Sequence, residues 1–270
     1  RRGFTTGANE FFYVEDVTDK VDFLQNKSKI KNLGNFNNIK NIKDVSLRII
    51  YNKEANAYWL IEEEFLKPVI KGPRECKSIL IKPEGFKHKV FMCHESKKEL
   101  KETKAIEYII WGERQKYHKR PTCKGREKWW NLKEPPLSDF LWVMTYRDRF
   151  FVLINQGILC DARFYDIYIH NKKFKEKVGF FLNSTLTLLF IELLARGYGG
   201  GGGPVDVKVY EVENLFILNP SIDIYTRNLD NYNIKSISQW FGFDYTKPIR
   251  EQQPNPLPDR KATIILSLML

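Results

Sequence analysis

The residues with the clearest chemical potential are the cationic and aromatic side chains at positions 114–130. This stretch reads RQKYHKRPTCKGREKWW and interleaves seven Lys and Arg residues with Tyr117, Trp129 and Trp130. Lys and Arg bind phosphate groups and release the counterions that surround a nucleic acid. Aromatic rings stack on displaced bases or hold a loop against the core. We expect the two Trp residues to anchor the stretch while some cations face a polyanion. The alternative is a solvated loop without a ligand.

Groups suited to metal or nucleophilic chemistry are few. Asp161 and Asp166 flank a predicted strand, and acidic pairs bind catalytic magnesium, although capping or ion-paired carboxylates are the more common case. The histidines and cysteines nearest to a metal-binding pattern are His88, Cys93, His94, His118 and Cys123. Their spacing matches no zinc framework, and no serine-hydrolase or zinc-protease motif occurs. We therefore expect neither a metal site nor a catalytic set in this chain.

The glycine tract Gly199–Gly203 has a composition that suits close approach to a phosphate. A phosphate-binding loop needs Lys followed by Ser or Thr after its last glycine, at the start of a helix. Here Pro204 and Val205 follow, and the next segment has the composition of a strand. The tract is therefore expected to be a connecting loop, which could approach a nucleic-acid backbone because it carries no side chains.

The elements that must position these residues alternate between strand-like and helix-like patterns. Short runs of β-branched and aromatic residues, such as VSLRIIYN, AYWLIEEE, FLWVMTY and RFYDIYI, predict strands. Apolar residues recur at helical spacing from Glu95 to Trp111, and residues 173–197 form the clearest helix pattern, ending at Gly197. Residues 205–218 predict another strand. This order predicts an α+β fold of small mixed sheets with packed helices.

Bulk composition is that of a basic, folded protein. The chain has 270 residues, of which 43% are hydrophobic, and its 44 Lys and Arg exceed its 33 Asp and Glu to give a net charge of +11. Such a surplus favours DNA or RNA as partner, although a lysine-rich surface from a biased genome is the alternative. Four widely spaced cysteines indicate reduced thiols, and neither a signal peptide nor a membrane-spanning run is found. We expect a cytoplasmic protein.

Several motifs resemble, in order, those of adenine-specific DNA methyltransferases of restriction-modification systems. RRGFTTGANEFF is similar to the Arg-Gly-x-x-Thr-Gly-x-Asn-x-x-Phe element that follows the catalytic domain in that family. LIEEEFLKPVIKG and AIEYIIWGERQKYHKRPTCKGREKWWNL resemble two later elements of its target-recognition region. DARFYDIYI and the segment from FLNSTL to FILNP match its closing elements, the last of which also resembles type I specificity subunits. Each match is loose by itself, and their common order makes the set specific.

The resemblance implies a target-recognition, or specificity, domain separated from its catalytic partner. It implies a hinge at residues 1–20, a recognition domain at 21–250, either single or in two lobes of about 21–135 and 136–250, and a tail at 251–270. The Asn/Asp-Pro-Pro-Tyr/Phe loop and the glycine-rich loop for S-adenosylmethionine are absent from the sequence. We thus expect no catalytic or cofactor-binding residue in this fragment. S-adenosylmethionine would belong to the parent enzyme, whose methyltransferase domain would precede Arg1.

The function expected from this resemblance is sequence-specific binding of double-stranded DNA, with the methyltransferase domain as partner in cis and no membrane. The expected DNA-contacting residues are Thr6, Gly7, Asn9, Lys116, Lys119, Arg120, Lys124 and Arg126. An RNA-binding module would use the same basic and aromatic stretch. Two further alternatives are a magnesium-dependent nuclease built on Asp161 and Asp166, and a protein-interaction domain.

Overall fold

The computed structural model describes residues 1–34, 42–147, 149–197 and 203–221, with isolated positions between 242 and 253. The chain divides into two compact units. The N-terminal unit comprises Phe4–Lys71 and Pro83–Leu137, and the C-terminal unit comprises Arg1–Gly3, Gly72–Lys82 and Ser138–Leu270. The segment 1–20, expected to be a hinge, is thus shared between the two units. The expected tail 251–270 lies outside the described residues except for 251–253.

The described strands and helices are short. The strands are β1 (Tyr13–Asp16), β2 (Leu47–Asn52), β3 (Ala57–Glu62), β4 (Leu66–Ile70), β5 (Leu80–Ile81), β6 (His88–Phe91), β7 (Phe140–Val143), β8 (Thr145–Tyr146), β9 (Val152–Asn155), β10 (Leu159–Cys160), β11 (Phe164–Ile167), β12 (Arg196–Gly197) and β13 (Val205–Asp206). The helices are α1 (Asn9–Phe12), α2 (Phe23–Asn26), α3 (Lys104–Arg114), α4 (Pro121–Lys124), α5 (Lys175–Leu182), α6 (Thr185–Leu194) and α7 (Val209–Glu213). The predicted α+β class is confirmed.

An antiparallel sheet forms the frame of the N-terminal unit, with the strand order β4-β6-β1-β2-β3. Strands β2 and β3 pair over their full length, from Leu47 opposite Glu62 to Asn52 opposite Ala57. The Asn52 side chain closes this hairpin because its Oδ1 accepts from the backbone N–H of Ala55 at 2.9 Å. A β-branched and aromatic composition fits such a sheet, as its residues pack against cross-strand neighbours.

Aromatic rings fill the core of the N-terminal unit around Phe11. Its ring stacks on Tyr108 and packs against Trp129, each at a centroid distance of 4.7 Å. The Tyr108 hydroxyl donates to the Phe11 carbonyl at 2.7 Å, so that helix α3 is tied to α1. A Cβ atom at Gly112 would lie 2.6 Å from Phe11 and 2.7 Å from Trp129, which explains why the helix presents glycine there.

Helix α3 begins later than its hydrophobic pattern predicts, at Lys104 rather than near Glu95. Thr103 caps it, because its side chain accepts from the N–H of Ile106. The carboxylate of Glu62, at the end of β3, accepts from the N–H groups of Lys104 and Ala105. A carboxylate at this position also interacts favourably with the helix dipole. The tertiary partner, which the local sequence does not reveal, therefore fixes the first turn.

The C-terminal unit is organised around a second sheet of order β11-β7-β9-β5, in which the β9–β5 pair is parallel and the other pairs are antiparallel. Its central strands β7 and β9 are buried on both faces, and helix α5 packs against β9. Residues Arg1–Gly3 extend along β11, where the N–H of Gly3 donates to the Phe164 carbonyl at 2.9 Å. A third, antiparallel sheet has the order β12-β13-β8.

Two predictions fail in the C-terminal unit. The single helix expected at 173–197 is broken between α5 and α6, since Asn183 bonds the backbone of Val152 and Ser184 caps α6. The strand expected at 205–218 ends at Asp206, and α7 follows because the Glu211 carboxylate accepts from the N–H of Lys208 at the helix start. Polar caps thus override apolar composition in both places.

No single helix in the described ranges is long and apolar enough to cross a membrane. The pair 172–182 and 186–194 passes that test only when joined across a 66° bend.

Candidate nucleic-acid interface

The basic and aromatic stretch 114–130 lies entirely within the N-terminal unit. It leaves helix α3, passes through a 3-10 turn at Tyr117–Lys119 and helix α4, and ends in the core. Trp129 and Trp130 are buried, and their indole N–H groups donate to the Glu113 carboxylate at 3.1 Å and to the Glu95 carbonyl at 3.3 Å. The expected anchoring role of these two residues is confirmed.

The N-terminal motif and the basic stretch, more than a hundred residues apart in sequence, are in direct contact. Gly7 adopts a positive φ of 79°, and a Cβ atom there would lie 2.6 Å from Cβ of Thr122. The thiol of Cys123 donates to the Thr6 carbonyl at 3.8 Å. Glycine is required at position 7 both by the backbone conformation and by the close approach of α4. The loop at residues 4–9 and helix α4 therefore form one continuous surface.

Arg126 joins these two segments. Its guanidinium donates to the backbone carbonyls of Thr5 at 3.2 Å, Thr6 at 2.7 Å and Trp129 at 3.2 Å. It also lies over the ring of Phe12, 5.5 Å from the ring centre. Burial lowers the pKa of this guanidinium from its ordinary value. The sequence predicts a phosphate contact for Arg126, whereas these bonds direct its side chain to the protein's own backbone.

Arg120 is partly engaged and partly accessible. Its guanidinium donates to the Glu10 carboxylate at 2.6 Å and lies 4.8 Å from the ring centre of Tyr117. The hydrogen bond from Arg120 holds the pKa of Glu10 below its ordinary value. Both side chains remain about 40% exposed. An exposed ion pair of this kind contributes little to stability, so a competing anion can replace Glu10 at small cost.

Three lysines on the same stretch are exposed and carry their charge towards solvent. Lys116, Lys119 and Lys124 make no side-chain hydrogen bond or ion pair with any described residue. Lys116 takes a left-handed conformation, with a φ of 62°, which turns the chain after the end of α3. These side chains are the predicted phosphate ligands that the fold leaves available.

The polar residues of the N-terminal motif differ in accessibility. Thr6 is fully buried, and its hydroxyl donates to Oδ1 of Asn9 and accepts from the N–H of Ala8 at 3.2 Å. Asn9, the first residue of α1, is exposed. Thr6 thus shapes the loop from within, while Asn9 is the member of the pair that a ligand can reach.

A comparison with protein-family models assigns the chain to a family. Residues 49–233 match the family model described as the C-terminal domain of the type II methyltransferase M.Eco57I, over more than half of the chain. The chain belongs to this family. A structure described as the type IIG restriction endonuclease BpuSI matches with 12% identity and a TM-score of 0.45, over 87% of this chain. The chain spans 27% of the length of that protein. No match was found among curated proteins.

In this M.Eco57I-family domain, the acidic pair considered for magnesium has other partners. The Asp166 carboxylate accepts from the Cys160 thiol at 3.4 Å, and Asp161 accepts from the N–H of Arg163 at 3.2 Å. Across the described parts of the chain, no group of three or more His, Cys, Asp or Glu side chains could hold a metal ion. Residues 198–202, which include most of the glycine tract, lie outside the described residues.

Two residues that shape this surface could not be identified from the sequence. Glu10 occupies a variable position within the N-terminal motif, and nothing there indicates its pairing with Arg120. Trp111, on α3, lines a cleft of the same unit together with Tyr117. The only local signal for Glu10 is its place directly after the Asn9 of the motif, and its partner lies 110 positions away.

Proposed function

We propose that the chain binds double-stranded DNA as the target-recognition part of an adenine-specific DNA methyltransferase. The observation that carries this proposal is the cluster of three exposed lysines, Lys116, Lys119 and Lys124, which have no side-chain partner in the described part of the chain and lie on a loop that buried aromatic residues hold in place. A rigid presentation of cations reduces the ordering cost of binding. Membership of a methyltransferase-domain family supports DNA as the polyanion.

The roles of the interface residues follow from their accessibility. The three lysines neutralise phosphates, which sets affinity and register without reading sequence. Arg120 reaches a phosphate by leaving Glu10, and Asn9 contacts the backbone at the adjoining loop. Arg126, Thr6 and Gly7 hold that loop in its shape. Of the eight residues expected from the sequence to contact DNA, this division keeps five as contacts.

The methyl transfer itself belongs to the parent enzyme in this proposal. A bound S-adenosylmethionine would supply the methyl group there. The sequence contains no Asn/Asp-Pro-Pro-Tyr/Phe loop, and no glycine-rich loop joins a strand to a helix in the described ranges. The residues present thus do not fit this cofactor, and no step of methyl transfer is derived from them.

The test compares two triple variants of equal charge. The first replaces Lys116, Lys119 and Lys124 with Ala, and the control replaces the exposed Lys98, Lys101 and Lys133 of the same unit with Ala. Fluorescence anisotropy with a labelled duplex is recorded at several salt concentrations. Because each phosphate contact adds about 0.9 to the slope of log K against log salt, the first variant should lose ~2.7 of that slope.

The control variant should keep at least two thirds of the wild-type slope. Equal losses in both variants would show that the effect is one of net charge, and the assignment to the 116–124 cluster would be wrong. A wild-type affinity that does not depend on salt would contradict electrostatic duplex binding altogether.

A further inference from the structure

A cleft in the N-terminal unit lies next to the lysine cluster, shares none of its three lysines and has no assigned ligand. It encloses about 720 Å³ between the β2–β3 hairpin and helix α3. Pockets that bind small molecules measure roughly 300–1,000 Å³, so the space suits a ligand of that size. The lining residues that matter are Trp59, Trp111, Tyr117, Lys31, Glu54 and Arg114.

The inner wall of the cleft is aromatic. The rings of Trp59 and Trp111 lie 5.3 Å apart, and Trp111 meets Tyr117 edge to face at 5.9 Å. Trp111 is also stacked on buried Tyr108, which fixes its orientation from behind. A rigid aromatic corner of this kind offers a flat, planar ligand a surface for stacking, at little conformational cost.

The rim of the cleft is charged, with two cations, Lys31 and Arg114, and two carboxylates, Glu54 and Glu107. Lys31 and Arg114 are exposed and make no side-chain ion pair or hydrogen bond with the residues that the structure describes. Of the two acidic side chains, Glu107 pairs with Lys104 at 2.9 Å, whereas exposed Glu54 has no ion-pair partner among the described residues. The rim therefore favours an anionic ligand that also has a donor for a carboxylate.

We propose that this cleft binds one nucleotide unit, with its base against the half-buried ring of Trp111 and its phosphate at Arg114 and Lys31. An exocyclic amino group on the base would donate to Glu54. The unit could come from an unpaired position in a nucleic-acid strand or from a free mononucleotide, which share this chemistry. The inference does not depend on duplex binding by Lys116, Lys119 and Lys124.

The experiment titrates the whole chain with dAMP, with deoxyribose 5-phosphate and with a duplex that contains one unpaired adenine, and measures binding by calorimetry. The test variant is Arg114→Ala, which removes an exposed rim cation, and the control is Lys98→Ala. A charge-assisted contact to phosphate predicts that Arg114→Ala weakens binding about tenfold while Lys98→Ala has no effect. The triple lysine variant should keep the wild-type affinity for dAMP.

Each outcome decides the proposal. Arg114-dependent binding of both dAMP and the unpaired adenine supports it, and dependence in the duplex arm alone supports it with the strand as the source. Binding of deoxyribose 5-phosphate as tightly as dAMP would overturn it, because the aromatic wall would then contribute nothing. The absence of an Arg114 effect in both arms would also overturn it. The Trp111→Phe variant, with its folding checked by circular dichroism, should lower the affinity for dAMP at least as much as the affinity for the duplex with the unpaired adenine.

Discussion

The two halves of the basic stretch, residues 114–124 and 125–130, both carry cations but have different surroundings. In residues 114–124, Lys116, Lys119 and Lys124 point their charges to solvent. In residues 125–130, Arg126 is bonded to three backbone carbonyls and the two Trp residues are buried. A cation that lies beside backbone carbonyls donates its hydrogen bonds to them, whereas a cation on an exposed turn remains available to bind a ligand.

This contrast shows that cationic residues in one run do not share one function. The planar guanidinium of Arg can reach several carbonyls at once, which a lysine ammonium does with less fixed geometry. The position that connects two distant segments is Arg, and the exposed cluster is Lys. We infer that stability and ligand binding are divided between the halves, and this division can be tested.

The largest effect is expected for Arg126→Ala. It removes charge-assisted hydrogen bonds to the carbonyls of Thr5, Thr6 and Trp129 and leaves part of that polar backbone buried. Hydrogen bonds to a charged group contribute about 1.5–3 kcal/mol each, with incomplete additivity, so the free energy of unfolding should fall by roughly 2–4 kcal/mol. Urea denaturation measures this change.

The matched control is Lys124→Ala, two positions away on an exposed site. An exposed substitution without partners should change the free energy of unfolding by less than about 0.5 kcal/mol. Similar losses of unfolding free energy in both variants would show that the two halves of the basic stretch do not differ in their contribution to stability. Arg126→Lys should recover only part of the stability, since one ammonium cannot reproduce the fork-like geometry.

A second pair of variants compares the two glycines that flank this contact. Gly7→Ala introduces a side chain at a φ of +79° and within 2.6 Å of Thr122, so it should cost roughly 1–3 kcal/mol. Gly125→Ala meets nothing closer than 3.7 Å and has a φ of −75°, so it should be neutral or stabilise by up to about 1 kcal/mol. Thermal unfolding followed by circular dichroism distinguishes the two, and equal shifts in Tm would show that the close approach of α4 is not rigid.

The sequence was informative where a signal is local and failed where the partner is distant. Runs of β-branched and aromatic residues predicted strands β2 and β3, and two adjacent Trp residues predicted an anchor, because large aromatic rings gain much free energy from burial. The break after Asn183 could not be seen, since Asn183 bonds Val152 of another strand. The late start of α3 depends likewise on Glu62, which comes from the end of β3.

The candidate site follows the same rule. Its location in 114–128 and in the N-terminal motif could be predicted from residue types and order, because cations and glycines are visible in sequence. The engagement of each cation could not, since the carbonyls of Thr5 and Thr6 that bind Arg126 and the carboxylate that binds Arg120 lie more than a hundred positions away. The composition of the sequence therefore indicates where the proposed interface lies, but not which of its side chains are available to a ligand.

The smallest effect is expected for Glu10→Gln, which acts at the boundary between the halves. Loss of this exposed ion pair should lower the free energy of unfolding by less than about 1 kcal/mol. Because the pKa of Glu10 is lowered in the folded state, its contribution is present above the unfolded pKa and is lost as the pH falls through the folded value. The difference between Glu10→Gln and the wild type, measured by urea denaturation, should thus shrink as the pH falls through the lowered, folded-state pKa of Glu10. The same variant releases Arg120 and removes a negative charge, so duplex affinity should rise by about threefold. A decrease in affinity would mean that Glu10 positions Arg120 for its phosphate, and the ion pair would then belong to the binding half rather than to the structural one.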